Sequence, residues 1–273
     1  MSSREQRAEL APLPRAEIVD DADDARLEDY RRLKERDLSA DGGRFVAVSE
    51  RVVRRLLESG LRTRSVLGTA PRLAALGGAL ARVDCPVYVA AQDVLDRIAG
   101  FHVHRGCLAI GEQPAAPVVP EGARTLLVVE DLVDVDNLGA CVRNAAAFGA
   151  DALVLSPRTA SPYYRKAIRV ALGSTFALPI VRLATWPADL LALKQRLGLQ
   201  LWGAVLDGTA TPLASAPRAH GVAILLGAEG PGLSAAARAV CDRLVTIPMA
   251  PGADSLNVAT AGAVLLYEAT RAR

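Results

Sequence analysis

The sequence predicts an α/β protein built of two α/β units joined by a proline-rich linker. Its 273 residues are 51% hydrophobic and 23% charged, which is typical of a globular chain long enough to bury a core. Near-continuous apolar runs alternate with helix-length segments, the pattern of a parallel sheet covered by helices on both faces. Residues 113–123 contain three prolines and no periodicity, which indicates a linker.

The part before the linker is predicted to be an acidic N-terminal extension followed by a small α/β domain. Within residues 1–40, apolar side chains recur at helical spacing in "DDARLEDYRRLKERDL". In residues 41–112, we expect a strand at Phe45–Val48 and a helix from about residue 50 to residue 59, with Ser49 as its N-cap. The domain continues through "SVLG", "PRLAALGGALARV", "VYVA", "AQDVLDRIAG" and "GCLAIG".

After the linker, residues 124–273 repeat the alternation of strand and helix. Strands are predicted in "TLLVVE", "ALVLS", "LQLWGAVL", "VAILLG" and "LVTIP". Helices are predicted in "NLGACVRNAAAFG", "YYRKAIRVALG", "PADLLALKQRLG", "SAAARAV" and the last segment of the chain. Three polar or glycine-bearing segments each follow a strand. Ligands of open α/β sheets bind beyond the carboxyl ends of strands, so we expect these segments to converge.

Composition excludes several classes of protein. No apolar run approaches the ~18–20 residues that span a bilayer, and the N-terminus is charged where a signal peptide is apolar. We therefore expect a cytoplasmic protein. The four scattered cysteines lack metal-ligand spacing, which predicts reduced thiols and no metal site. Basic side chains outnumber acidic ones 10 to 6 in residues 44–112 and 14 to 11 in residues 122–273. This mild bias is compatible with nucleic-acid binding.

The three segments carry short polar side chains near predicted helix starts. "EDLVDVDNLGACVRNAAAFGA" has Asn137 at a helix start and Arg143 six residues later, which alone describes an N-cap and a solvated arginine. "LLGAEGPGLS" places Glu229 in a glycine-rich turn whose spacing, G-x-x-G-x-G, differs from the dinucleotide fingerprint. "IPMAPGADSLNVATAGAVLLYEA" offers Ser255 and Asn257 at the start of a helix that alone reads as a capped core helix.

Taken together, the three segments resemble, in order and spacing, the signature motifs of the SpoU (TrmH) family of SPOUT RNA 2′-O-methyltransferases. The resemblance covers about residues 124–273, and "FVAVSE" and "HRGCLAIG" resemble the family's L30e-like substrate-binding domain. The sequence departs from the family at Asp136, where many members have Pro or Gly, and at Ala171, where Ser is frequent. The resemblance implies a C-terminal parallel-sheet SPOUT domain with a trefoil knot, preceded by a smaller L30e-like α/β domain.

The same resemblance implies a reaction and its participants. A homodimer, formed through the C-terminal domain, would transfer a methyl group from S-adenosyl-L-methionine to a ribose 2′-OH of structured RNA. Cofactor-binding positions correspond to Leu206, Gly227, Ile247 and Leu256. Catalytic and polar site positions correspond to Arg143, Asn137, Glu229, Ser255 and Asn257. A guanidinium stays protonated in proteins. We therefore expect Arg143 to bind the adjacent phosphate and stabilise the alkoxide, with Ser255 or the phosphate relaying the proton.

Basic side chains outside the motifs are candidate RNA contacts. "YYRKAIR" puts Arg165, Lys166 and Arg169 on roughly one helical face, which is either a phosphate-binding surface or a solvated face. "FHVHRG" offers His104 and Arg105 to RNA, since two histidines make a poor metal site. Ribosomal RNA is favoured over tRNA as the substrate. The alternatives are a tRNA methyltransferase, a non-catalytic RNA-binding relative and a nicotinamide-dependent enzyme, which the glycine order disfavours.

Overall fold

A computed structural model describes residues 16–31, 33, 38, 43–104, 106–115, 117–217 and 220–271. The chain forms two compact units. The first contains Met1–Ala115 and Tyr163–Phe176, and the second contains Ala116–Pro162 and Ala177–Arg273. The boundary near residue 115 falls inside the predicted linker. The segment 163–176, which the sequence placed in a continuous C-terminal domain, belongs instead to the first unit.

Within its described residues, the first unit holds a five-stranded sheet in the order β1-β4-β3-β5-β2. Its strands are β1 (Ala16–Ile18), β2 (Arg44–Val48), β3 (Thr63–Gly68), β4 (Val87–Val89) and β5 (Cys107–Glu112). Its first helices are α1 (Glu50–Glu58), α2 (Ala70–Ala75), α3 (Gly77–Leu80) and α4 (Gln92–Ala99). β5 runs antiparallel to β2 and β3, and the other pairs are parallel. The strand and helix predicted around Ser49 are confirmed, although Ser49 makes no side-chain cap.

The part of the predicted extension that the structure describes contributes to this sheet. β1 pairs in parallel with β4, and a 3-10 helix follows at Ala25–Tyr30. Tyr30 is fully buried and its hydroxyl lies 2.7 Å from the Ser65 hydroxyl. The apolar residues Leu27, Tyr30 and Leu33, which the sequence shows at helical spacing, are buried. The strand before them was not predicted because it is only three residues long.

The segment 163–176 completes the core of the first unit. It carries the helix α5 (Arg165–Val170), which is shorter than predicted. Phe45 of β2 stacks on Phe176, with ring centroids 5.1 Å apart, and contacts Tyr163 at 5.4 Å. Arg55 donates to the Leu172 carbonyl oxygen at 2.8 Å. The sequence predicted a helix in this segment but assigned it to the C-terminal domain.

The described part of the second unit holds a seven-stranded sheet in the order β10-β12-β9-β11-β6-β7-β8, and all of its pairs are parallel. Its strands are β6 (Thr125–Val129), β7 (Ala152–Leu155), β8 (Ile180–Arg182), β9 (Gln200–Ala204), β10 (Thr211–Pro212), β11 (Val222–Leu226) and β12 (Arg243–Thr246). Its helices are α6 (Val135–Ala147), α7 (Ala188–Leu197), α8 (Ala235–Ala239) and α9 (Val258–Thr270). The predicted α/β class with a parallel sheet is confirmed. Among the described helices, none is long and apolar enough to cross a membrane.

Candidate active site

Loops at one edge of the seven-stranded sheet enclose a cavity of about 570 Å³. β9, β11 and β12 are parallel and lie in neighbouring positions, so the loops that follow them leave from the same edge. The four predicted cofactor positions, Leu206, Gly227, Ile247 and Leu256, all line this cavity. So do Glu229, Ser255 and Asn257. The second and third segments therefore converge on one cavity, as expected.

Glycine is required in the turn after β11 because two stretches of backbone nearly touch. A Cβ on Gly227 would lie 2.2 Å from the carbonyl carbon of Gly232 and 2.4 Å from the Leu233 nitrogen. The Gly232 N–H donates to the Ala228 carbonyl oxygen at 3.0 Å, which closes the turn. Gly230 and Gly232 have φ of 83° and 69°, a region that disfavours other residues. The turn at 227–232 therefore exposes backbone to the cavity.

A hydrogen-bonded chain joins one polar residue from each of the three segments. The Asn257 side chain caps α9, where its Oδ1 accepts from the Ala259 N–H at 2.9 Å. Its Nδ2 is thereby left to donate to Asn137 Oδ1, at 2.7 Å. Asn137 then directs its own Nδ2 to the Glu229 carboxylate. The orientation of each amide follows from the helix cap, since an amide oxygen only accepts and an amide nitrogen only donates.

The start of α6 holds Asn137 in place. Asp134 is the N-cap of α6 and accepts from the Asn137 N–H at 2.8 Å. Further along α6, the Asn144 side-chain amide donates to the Ala259 carbonyl oxygen at 2.8 Å. This bond connects α6 to α9. Burial raises the pKa of the Cys141 thiol to about 12, so it offers no thiolate to the site. Asn144 was missed because a single amide in a small-residue helix gives no spacing signal.

Arg143 is placed differently from the other predicted catalytic residues. It is exposed on α6 and does not line the cavity, and its distance from Asn137 along the helix axis is about 9 Å. Within the described residues, its guanidinium has no hydrogen-bond or ion-pair partner. The structure therefore brings together Asn137, Glu229, Ser255 and Asn257, while Arg143 stands outside the cavity wall as a free cationic group.

A buried carboxylate that the sequence did not single out supports the glycine turn. Glu130 follows β6 and is only 3% exposed. It accepts from the Ser234 N–H at 2.9 Å, from the Ser234 hydroxyl at 2.6 Å and from the Trp186 indole N–H at 2.6 Å. Ser234 is the N-cap of α8 and follows the turn at 227–232. The sequence signal that could have identified Glu130 is an acidic residue directly after an apolar strand.

Two charged side chains line the cavity among the described residues. Glu229 supplies a carboxylate and Arg238 of α8 supplies a guanidinium that the sequence did not flag. The pKa of nearby Asp207 is lowered, first by hydrogen bonds from Thr209 and further by Arg238. The cavity thus offers one group of each sign beside an apolar wall, which suits a zwitterionic ligand with an apolar part.

The predicted RNA contacts lie in the first unit. Arg165 is half-buried, its guanidinium lies 5.0 Å from the centre of the Phe101 ring, and burial lowers its pKa. Lys166 is half-buried and Arg169 is exposed on the same helix. His104 is exposed, with its ring centroid 4.5 Å from that of His102. Arg105 lies outside the described residues.

In the described parts of the chain, no group of three or more His, Cys, Asp or Glu side chains could hold a metal ion. All four cysteines are free, with Cys107 and Cys141 buried and the other two half-buried.

Known proteins resemble this chain over two thirds of its length or more. An uncharacterized tRNA/rRNA methyltransferase of Mycobacterium bovis is 43% identical, over 93% of this chain and 91% of its own. The 23S rRNA (guanosine-2'-O-)-methyltransferase RlmB of Acinetobacter baylyi is 32% identical, over 68% of this chain and 79% of its own. The AdoMet-bound rRNA methyltransferase of Sinorhizobium meliloti superposes with a TM-score of 0.82 at 25% identity, over 94% of this chain and 98% of that one.

The model of the SpoU rRNA Methylase family matches residues 124–267, more than half of the chain. That match contains β6 to β12, the first two motif segments and all but the last two residues of the third. The predictions of an RNA methyltransferase and of S-adenosylmethionine as its methyl donor are confirmed with it. The chain belongs to the SpoU rRNA methylase family.

Proposed function

We propose that the protein methylates a ribose 2′-OH in structured ribosomal RNA and that the cavity between the three loops binds its S-adenosylmethionine. The observation that carries this proposal is the chain of hydrogen bonds from Asn257 through Asn137 to Glu229 at the cavity edge. It joins residues that are 120 and 92 positions apart in sequence and fixes their side chains at the cavity edge. The relative RlmB, named as a 23S rRNA guanosine-2'-O-methyltransferase, supports ribosomal RNA and the 2′ position.

The cavity suits S-adenosylmethionine in size and chemistry. Its volume of about 570 Å³ lies in the ordinary range for small-molecule sites. Leu206, Ile247 and Leu256 give an apolar wall for the adenine, and the turn at 227–232 offers backbone groups. When bound, the cofactor supplies an electrophilic methyl group on a sulfonium. The Glu229 carboxylate contributes negative charge on the side that would face the positive part of the ligand.

The polar side chains have separate roles in this proposal. Asn137, Glu229 and Asn257 orient the edge of the cavity and hold the start of α9 in place. Arg143 remains protonated, binds the phosphate next to the target ribose and stabilises the developing 2′ alkoxide. Ser255, which lines the cavity, or that phosphate relays the departing proton to solvent. Holding the two reactants in line supplies a large part of the rate gain, on the order of 7–11 kcal/mol in favourable cases.

The second unit has features that support a knotted, dimeric enzyme. The last three strands in sequence, β10 to β12, do not follow one another in space, because β9 separates β11 from β12. We infer that this arrangement reflects the family's trefoil knot. α9 exposes Tyr267 and Val264, 57% and 38% respectively, and Tyr267 meets Phe148 edge-on at 6.3 Å. We assign these two side chains to an interface whose proposed partner is a second copy of the chain. A ribosomal substrate makes the cytoplasm the proposed compartment.

Two measurements test the proposed function. Isothermal titration calorimetry compares S-adenosylmethionine with NADH, and we expect binding of the former alone. Mapping of 2′-O-methyl sites in total RNA, from cells with and without the gene, is expected to reveal a ribosomal position that disappears with the protein. A lost site in tRNA would favour the tRNA alternative. Binding of S-adenosylmethionine without any lost site would contradict the proposed reaction.

A further inference from the structure

One edge of the sheet in the first unit gathers several loops. Because β5 is antiparallel to β2 and β3, its start lies beside their carboxyl ends. The Ser49 N–H donates to the Cys107 carbonyl oxygen at 3.0 Å, and the Thr69 N–H donates to the Gly106 carbonyl oxygen at 2.9 Å. α1 and α2 therefore both begin at this edge.

Three arginines surround a single carboxylate at the start of these helices. Arg51, Arg54 and Arg72, which we name the arginine cluster, line a surface cavity of about 380 Å³ together with Glu50. Arg54 Nη2 lies 3.2 Å from Glu50 Oε1, and Arg72 Nη1 lies 3.5 Å from Glu50 Oε2. One carboxylate against three guanidinium groups leaves a net positive charge of two. All three arginine side chains remain accessible to solvent, with Arg54 at 38% and Arg72 at 49%.

Bonds within the fold account for Arg54 and Arg72, which both reach Glu50, but not for Arg51. Arg51 is the second residue of α1, where the positive end of the helix dipole disfavours a cation. Arg54 is also held by the Ala75 carbonyl oxygen, at 2.7 Å. Its guanidinium is thus fixed before any ligand arrives, which lowers the conformational entropy that binding would cost.

The hydroxyl groups of Ser49 and Thr69 beside the cluster are also available to an anion, whereas the N–H groups of both residues already donate to carbonyl oxygens. Ser49 and Thr69 occupy the N-cap positions of α1 and α2, but neither side chain caps its helix. Their hydroxyl groups are therefore not used as N-cap hydroxyls usually are. A Cβ on Gly68 would lie 2.8 Å from the Gly106 carbonyl oxygen. The two backbone segments therefore pack too closely at this edge for a side chain to fit between them.

We propose that the arginine cluster binds the phosphodiester backbone of the RNA substrate. Guanidinium groups form paired hydrogen bonds with phosphate oxygens, and several on one open surface suit a polyanion better than a single small anion. The inference rests on the proposed function, which supplies RNA as the partner. It adds three arginines to the RNA contacts that the sequence predicted for the first unit, outside the three motif segments. These contacts would position the RNA without reading its sequence.

The test measures RNA affinity as a function of salt. Fluorescence anisotropy follows a labelled stem–loop RNA transcript binding to the full-length protein over a series of KCl concentrations. We compare wild type with Arg51→Ala, Arg72→Ala and the variant in which all three arginines are alanine. Each lost phosphate contact should reduce the slope of log affinity against log salt by about 0.7 to 0.9. The triple variant should therefore lose about two units of slope and at least about tenfold in affinity at low salt.

The matched control is Arg97→Ala, which removes an exposed arginine of the same unit that lies 3.9 Å from Asp93. An equal loss in this control, or an unchanged slope in Arg51→Ala and the triple variant, would overturn the proposal. Arg51→Ala keeps the test valid if the triple variant unfolds, because Arg51 has no intramolecular partner among the described residues. Calorimetry with S-adenosylmethionine separates the two levels of inference. A wild type that fails to bind it contradicts the proposed function, whereas retained cofactor binding with unchanged RNA slopes contradicts the arginine cluster alone.

Discussion

Replacing Gly227 with alanine should damage the cavity through the backbone alone. The new Cβ would lie 2.2 Å from the carbonyl carbon of Gly232, whereas ordinary van der Waals contact begins at 3.4 Å. The turn at 227–232 must therefore retreat by about 1.2 Å, the difference between these distances. It cannot do so freely, because its Gly232 N–H is bonded to Ala228 and its end is held by Glu130.

The cost of inserting one methyl group into such a packed position is about 1–3 kcal/mol. If the cofactor requires the original turn, the same free energy is lost from binding, which weakens the affinity for S-adenosylmethionine by about 5- to 150-fold. Calorimetry measures the dissociation constant, and thermal unfolding measures the accompanying loss of stability.

Gly208→Ala is the matched control. Gly208 follows the same sheet edge two residues after Leu206, and a Cβ there would meet nothing within 4 Å. We expect its affinity to match wild type and its stability to change by less than about 0.5 kcal/mol. A Gly227→Ala protein with wild-type affinity and melting temperature would refute the packing argument.

Three further changes test the roles of other residues in the second unit. Arg143→Ala should keep cofactor affinity within about twofold but reduce methyl transfer at least about 100-fold, and a fully active variant in a tritium-transfer assay would exclude the proposed role. Glu130→Gln places an amide donor against the donors of Ser234, which should cost about 1–3 kcal/mol in urea unfolding; an unchanged midpoint would contradict it. The Arg158 guanidinium lowers the pKa of Asp131 below its usual 3.8, so this carboxylate stabilises the fold above that pH and less as pH falls through its folded pKa. Asp131→Asn should therefore be less stable than wild type at pH 7, and the gap should close in unfolding curves below the folded pKa. A gap that persists in acid would indicate another cause.

Local pattern was sufficient to predict the elements that form the cavity. β11 is a continuous apolar run that ends just before Gly227. β9 and β12 are shorter apolar runs flanked by polar residues, Gln200 in β9 and Arg243 and Thr246 in β12. The convergence of the loops could be predicted because parallel strands place their carboxyl ends at one edge of the sheet. Asn257 as the cap of α9 was likewise readable from an asparagine before an apolar helix.

Long-range partners were beyond this reasoning. Nothing in "YYRKAIRVALG" distinguishes a helix that packs on β2 from one that packs on its own neighbours, because both need the same apolar face. The sequence around Glu130 gave its position but not its partners, Ser234 and Trp186, which are tens of residues away. The absence of Arg143 from the cavity wall was equally unreadable, since spacing fixes only its place on α6.

The contribution of Phe176 to the core around Phe45 bears on how the chain is made. A ribosome completes residues 1–115 well before it reaches the aromatic pair, Tyr163 and Phe176, that covers Phe45. The nascent N-terminal unit must therefore keep an apolar face uncovered while the first strands of the next sheet are synthesised. A fragment that ends at the proline-rich linker would keep this apolar face uncovered permanently. Expression of residues 1–115 alone would therefore give a folding unit without part of its core.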